Sequence, residues 1–130
     1  MRKTLQRSRQ ISDLCKQYGI KHIVLPYGKR GHGRVREKIL YFPELTDEMS
    51  YLVALHEIGH VVVGLNEIKL EREADAWAWA LSNSLDPPGF ECRQRLCADL
   101  YRHMIEAQRD KLPMPPKNHV FWKLLRWWET

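Results

Sequence analysis

The residues of this chain best suited to chemistry are His56, Glu57, Ile58, Gly59 and His60, an HExxH arrangement of two imidazoles around a carboxylate. On a helix, residues four apart share a face, so both rings can reach one Zn2+ ion. Glu57, about 100° round from His56, then addresses a water in the ion's open position. Zinc lowers the pKa of such a water to about 7. A neighbouring carboxylate can take its proton during attack on a polarised carbonyl and pass it to the leaving amine. The chemistry suggested is metal-assisted hydrolysis with Glu57 as general base.

A catalytic zinc usually takes a third protein ligand, and Glu71, Glu73 and Asp75 follow in EREAD. Glu71 and Asp75 share a helix face, whereas Glu73 points roughly 160–200° away from both. That pairing selects Glu71 as the ligand, with Asp75 one turn on accepting the N–H of a ligand histidine and fixing its tautomer. The spacing agrees, because His60 lies four residues before Gly64 and Glu71 five after Asn66, which sets the two level in a tight helical hairpin. Small residues at Gly59, Ala74 and Ala78 let the two helices approach closely.

The elements that position these groups follow from local signals. Thr46, with Asp47 and Glu48 behind it, marks a helix start, and the helix should run to about residue 63 before a left-handed Gly64. Asn66 caps a second helix through EIKLEREADAWAWALSNS. Upstream, residues 4–18 have helical spacing ended by Gly19, and residues 21–27 and 35–42 read as a hairpin around the basic loop GKRGHGR. Downstream, DPPG at 86–89 breaks the chain before a helix from 90 to about 112, and PMPP at 113–116 precedes a short aromatic helix. The expected architecture is α+β and mostly helical. It forms one domain over 1–130, with a basic helix plus hairpin in 1–45, zinc-site helices in 46–84 and a helical part in 90–130.

The length of 130 residues, with 44% hydrophobic and 28% charged residues, suits one globular core. No apolar run approaches the roughly 18 residues of a membrane span. The opening MRKTLQRSRQ leads into no apolar signal segment, and Cys15, Cys92 and Cys97 lack the CxxC spacing of a cysteine zinc site and are odd in number for a disulfide framework. A cytoplasmic protein is the expectation. Residues 1–42 hold eleven Lys/Arg and two acids, while residues 43–83 hold two Lys/Arg and eight acids. The acidic stretch suits a cation. The basic front suits nucleic-acid phosphates, an acidic protein surface or plain solvent.

His22, His32, His103 and His119, with Tyr27, Tyr41 and Tyr101, are further candidates for stabilising an oxyanion, and the sequence does not choose among them. The strands also offer an edge to which an extended peptide can add. Trp77 continues an apolar stripe with Leu81, and Trp122, Trp127 and Trp128 belong to a terminal helix expected to pack back on the domain.

HEIGH followed by EREADAWA resembles the ImmA/IrrE-like metallopeptidases, whose pattern is HExxH and then ExEAN or a close variant leading into a helix. The likeness covers mainly residues 46–82. It implies a zincin-like fold, a Zn2+ cofactor on His56, His60 and Glu71, Glu57 as catalytic acid/base, and Asp75 behind the ligands where the family usually has Asn. It also implies a protein substrate, such as a DNA-bound repressor or an antitoxin, of a bacterium, phage or mobile element. A second reading, of another class, is a zinc-stabilised module that binds nucleic acid or an acidic partner through its basic N-terminal region and turns nothing over.

Overall fold

The computed structural model describes residues 2–26, 32–64 and 66–127. Along the chain run α1 (Arg2–Gln17), β1 (Lys21–Leu25), β2 (His32–Arg34), β3 (Ile39–Pro43), α2 (Glu48–Val63), α3 (Lys69–Asn83), α4 (Phe90–Arg109) and α5 (Val120–Leu125). This is the expected helix-dominated α+β class. Tyr27, Lys29 of the basic loop, and Trp128 lie outside the described residues. No helix among those described is long and apolar enough to cross a membrane.

Gly19 stops α1 by turning left-handed, with φ 66°. Its N–H donates to the Lys16 carbonyl at 3.3 Å and that of Ile20 to Cys15 at 2.7 Å, which satisfies two of the carbonyls a helix end leaves open. Ile20 and Cys15 both enter the core beside Ile11.

The two expected strands do not form a hairpin with each other. β1 lies parallel to β3, with Lys21 opposite Ile39 and Leu25 opposite Pro43. The hairpin is β2–β3, with His32 opposite Tyr41 and Arg34 opposite Ile39. The cause is local: residues 35–38, expected to be strand, form the turn instead. Glu37 donates to the Arg34 carbonyl and Lys38 to Val35, each at 3.2 Å, with Lys38 at φ 55°. The order is therefore β1-β3-β2, with β2 on an edge. Leu40 and Phe42 of β3 are buried in the core.

Asp47, not Thr46, caps α2. Its carboxylate accepts the Ser50 N–H at 2.8 Å and Ser50 Oγ accepts the Asp47 N–H at 3.1 Å, a reciprocal box that satisfies two orphan donors. The turn after α2 also differs from expectation. Gly64 has φ 79° but an extended ψ of −168°. Asn66 does not cap a helix at once; its Oδ1 accepts the Ile68 N–H at 2.9 Å in a local turn, and α3 starts only at Lys69. Leu52, Leu55 and Ile58 of α2 share the core with Leu70, Ala74 and Trp77 of α3, Leu96 and Leu100 of α4, and Phe121 and Leu124 of α5.

Two contacts bind this frame together. Gly59 faces Ala76 so closely that a Cβ built on it would stand 2.6 Å from the Ala76 carbonyl oxygen. Glu48 accepts the Gly89 N–H at 2.8 Å and the Cys92 thiol, joining α2 to the start of α4, with Arg7 at 3.9 Å. The Cys92 thiol first, and then the Gly89 N–H, hold the Glu48 carboxyl below its ordinary range. Burial and the same contact push the Cys92 thiol up to about 12, so it stays an unreactive thiol.

Gly59→Ala should destabilise the fold by about 2–3 kcal/mol, because the clash is with backbone, and lower the thermal midpoint by roughly 10 °C. Circular-dichroism melting checks this. For Glu48, a folded pKa below the unfolded value of about 4.3 means that its stabilisation is complete above that pH and is lost as pH falls through the folded value. Glu48→Gln should therefore be less stable than wild type at pH 7, with the gap closing toward pH 3 in urea titrations at the two pH values.

Candidate metal centre

His56 and His60 stand one turn apart on α2, and Glu73 reaches them from α3. The His56 Nε2 lies 3.1 Å from Glu73 Oε2 and 3.1 Å from His60 Nε2, and the His60 Nε2 lies 3.4 Å from the same Glu73 oxygen. Three donor atoms thus form a nearly equilateral triangle. A tetrahedral ion with bonds of about 2.0–2.1 Å requires ligand separations of roughly 3.3–3.4 Å, so the triangle fits zinc in both donor type and size. His56 is buried and its ring stacks on Trp77, with centroids 4.0 Å apart and planes at 20°.

Glu71 and Asp75 lie elsewhere, and the expectation that they serve this site is corrected. They do share a face of α3, but that face looks toward α5. His119 Nε2 is 3.1 Å from Asp75 Oδ1 and 3.9 Å from Glu71 Oε1, and His119 Nδ1 accepts the Phe121 N–H at 3.0 Å. The imidazole therefore caps α5 with one nitrogen and donates to α3 with the other, so its tautomer is set by structure. The expected register assumed a helix starting right after Asn66. The later start at Lys69 rotates and shifts α3, and Glu73 falls on the side that carries Ala76 and Trp77. Asp75 consequently does not steady a ligand imidazole. The His56 Nδ1 is buried with no hydrogen-bond partner among the described residues, and the Trp77 ring holds this histidine in place.

Glu57 faces the same cleft. Gly33 of β2 passes so near it that a Cβ there would stand 3.4 Å from Glu57 Oε2 and 2.6 Å from Leu40 Cδ2. The two carboxyls are pushed in opposite directions. Burial raises that of Glu57, against the opposing charges of His56 and His60. Burial alone would raise Glu73 as well, but the hydrogen bonds and charges of both histidines outweigh it and hold that carboxyl well below the usual range. One carboxyl is thus held anionic beside the imidazoles while the other is shifted toward its protonated form.

The cleft has a volume of about 570 Å³ and takes its remaining walls from β2, α3 and α4. Of the extra candidates, His32 and His103 line it. His22 stacks on Phe42 at 3.8 Å and His119 serves α5. Tyr41 stacks behind His32 at 4.6 Å, and Tyr101 is exposed. Asp99 and His103 of α4, which with Glu73 hold ligand atoms within 4.8 Å of one another, are site residues the motif does not announce. Asp99 accepts from Arg102 at 2.8 Å and from the Trp77 indole at 3.4 Å. Their i, i+4 spacing was a signal, but nothing in the sequence ties it to residues forty positions earlier.

No family model matches the chain, and neither a curated protein nor a solved structure does.

Metal titration of the full chain should give one tightly held zinc, lost or weakened at least tenfold in Glu73→Ala and retained in Glu71→Ala. Loss with Glu71→Ala and retention with Glu73→Ala would reverse the assignment.

Proposed function

We propose that the protein is a zinc-dependent endopeptidase of the ImmA/IrrE-like kind, zincin-like in fold, that cleaves a regulatory protein such as a repressor or antitoxin. The observation that carries this reading is the triangle of His56, His60 and Glu73 with Glu57 beside it in an open cleft. A zinc ion held by those three residues supplies Lewis-acid activation of water and of a peptide carbonyl. Glu57 performs the proton transfers, taking a proton from the attacking water and returning it to the departing amine. Burial favours this role, because a raised carboxyl pKa makes Glu57 a stronger base than a solvent-exposed glutamate.

The other residues have supporting parts. His56 and His60 present Nε2, and Glu73 remains anionic to complete the set. His32 and His103 line the cleft, and we assign one of these imidazoles to donate a hydrogen bond to the oxyanion. The edge strand β2 runs past Glu57, where an extended peptide can pair with it. The three cysteines are buried thiols outside any disulfide, in keeping with the proposed work in the cytoplasm.

Glu57→Gln should retain zinc within about twofold and lower peptide-bond hydrolysis by about 10²–10⁴-fold, the usual worth of a general base. Mass spectrometry of a peptide mixture incubated with each zinc-loaded form measures this. Equal cleavage by both forms would show that Glu57 is not the base. Zinc binding with no cleavage by the wild type would favour the non-catalytic binding module.

A further inference from the structure

Arg72 is a half-buried guanidinium on the wall of the cleft, and among the described residues its only side-chain hydrogen bond reaches the Asn66 carbonyl at 3.4 Å. No carboxylate among the described residues stands at ion-pair distance from it. Three other charged groups of the cleft already have partners. Glu73 is engaged by His56 and His60, Asp99 by Arg102 at 2.8 Å, and Arg95, at the rim, by Glu91 at 3.4 Å. Met49, Val53, Val35 and Trp77 supply apolar wall in the same cleft, which strengthens any charge pairing made there. A cation held half out of water without a counter-charge is costly unless a ligand brings one. Its planar fork suits the two oxygens of a carboxylate.

We infer that Arg72 is a specificity residue that binds a substrate carboxylate within a residue or two of the cleaved bond. The carboxylate belongs to an aspartate or glutamate side chain or to a free C terminus. This rests on the peptidase reading of the same cleft. It also gives a role to a cleft cation that the zinc chemistry leaves unused.

The test uses the zinc-loaded full chain on a mixture of natural-sequence peptides, each in free-acid and amidated form, with products read by mass spectrometry. Cleaved sites should be enriched about tenfold or more for Asp or Glu within two residues of the cut if the side chain is the ligand. They should lie near the free-acid ends, and vanish on amidation, if the C terminus is. Arg72→Gln should remove the enrichment and Arg72→Glu should turn it toward Lys and Arg, with zinc content and melting temperature checked in both. In parallel, Glu57→Gln should bind a Glu-containing peptide about tenfold more tightly than its Gln counterpart, a difference absent when Arg72→Gln is added. Cleavage with neither acidic enrichment nor dependence on a free C terminus, or with either preference unaltered in Arg72→Gln, overturns this inference and leaves the peptidase reading standing. No cleavage by the wild type overturns both.

Discussion

The close approach of α2 and α3 at Gly59 and Ala76 is the constraint from which the site follows. With only hydrogen on Gly59, the Ala76 backbone can lie against α2, and the relative height and rotation of the two helices are then determined. Glu73, three residues before Ala76, is carried to the imidazoles of His56 and His60. Trp77, one residue after it, is carried under the His56 ring. A larger residue at 59 would separate the helices, and a carboxylate at the same sequence position would no longer reach. The ligand set is thus a property of a helix contact more than of any single ligand.

Burying two histidines and two glutamates together is unfavourable unless something balances their charge. The arrangement handles its carboxyls separately. Glu73 gains direct hydrogen bonds from both imidazoles and stays ionised, while Glu57 has no such direct partner among them and is raised by burial. The same cluster that would collapse into repulsion with two equal carboxylates therefore has one permanent anion and one group able to exchange a proton. The Trp77 indole extends the order outward, because its ring supports His56 while its N–H donates to Asp99, which Arg102 holds in turn. Orientation passes from the centre of the site to the surface of α4 through one side chain.

Much of this was legible in the sequence, and the failures have identifiable causes. HExxH on a helix ending at 63, Gly19 as a stop, the α+β class, Gly59 as a close-packing position and the long helix from 90 were all readable from periodicity and capping chemistry. The third carboxylate was not, because Asn66 reads as the cap of α3, two residues too early, and instead makes a local turn. Two residues of helix amount to about 200°, enough to exchange one face for the other. A better signal lay in α3 itself: Glu73 is three or four residues before Ala76 and Trp77 and seven before Ala80, all buried, whereas Glu71 and Asp75 stand on a flank. The strand pairing was missed because a four-residue turn through Lys38 at positive φ is not announced by glycine or proline. Asp99 was missed, and His103 was not singled out from the other candidate imidazoles, because tertiary packing alone brings α4 to the cleft.

Glu71 and Asp75 then acquire their own explanation. A helix that offers acids on two faces needs a basic group for each, and the sequence supplies one from either side. The histidines of α2 meet Glu73, and His119 meets Asp75 and Glu71 while capping α5. α3 is held between two imidazole-bearing elements, and the contacts are of different kinds. On the α5 side each nitrogen of His119 has a definite protein partner, so that contact is complete and structural. On the α2 side two imidazole nitrogens and a carboxylate oxygen converge to within 3.1–3.4 Å of each other, and each imidazole faces another polar atom besides the carboxylate. Convergence of three such donor atoms on one point has no counterpart on the α5 side, and this asymmetry across one helix distinguishes the candidate site from the His119 contact.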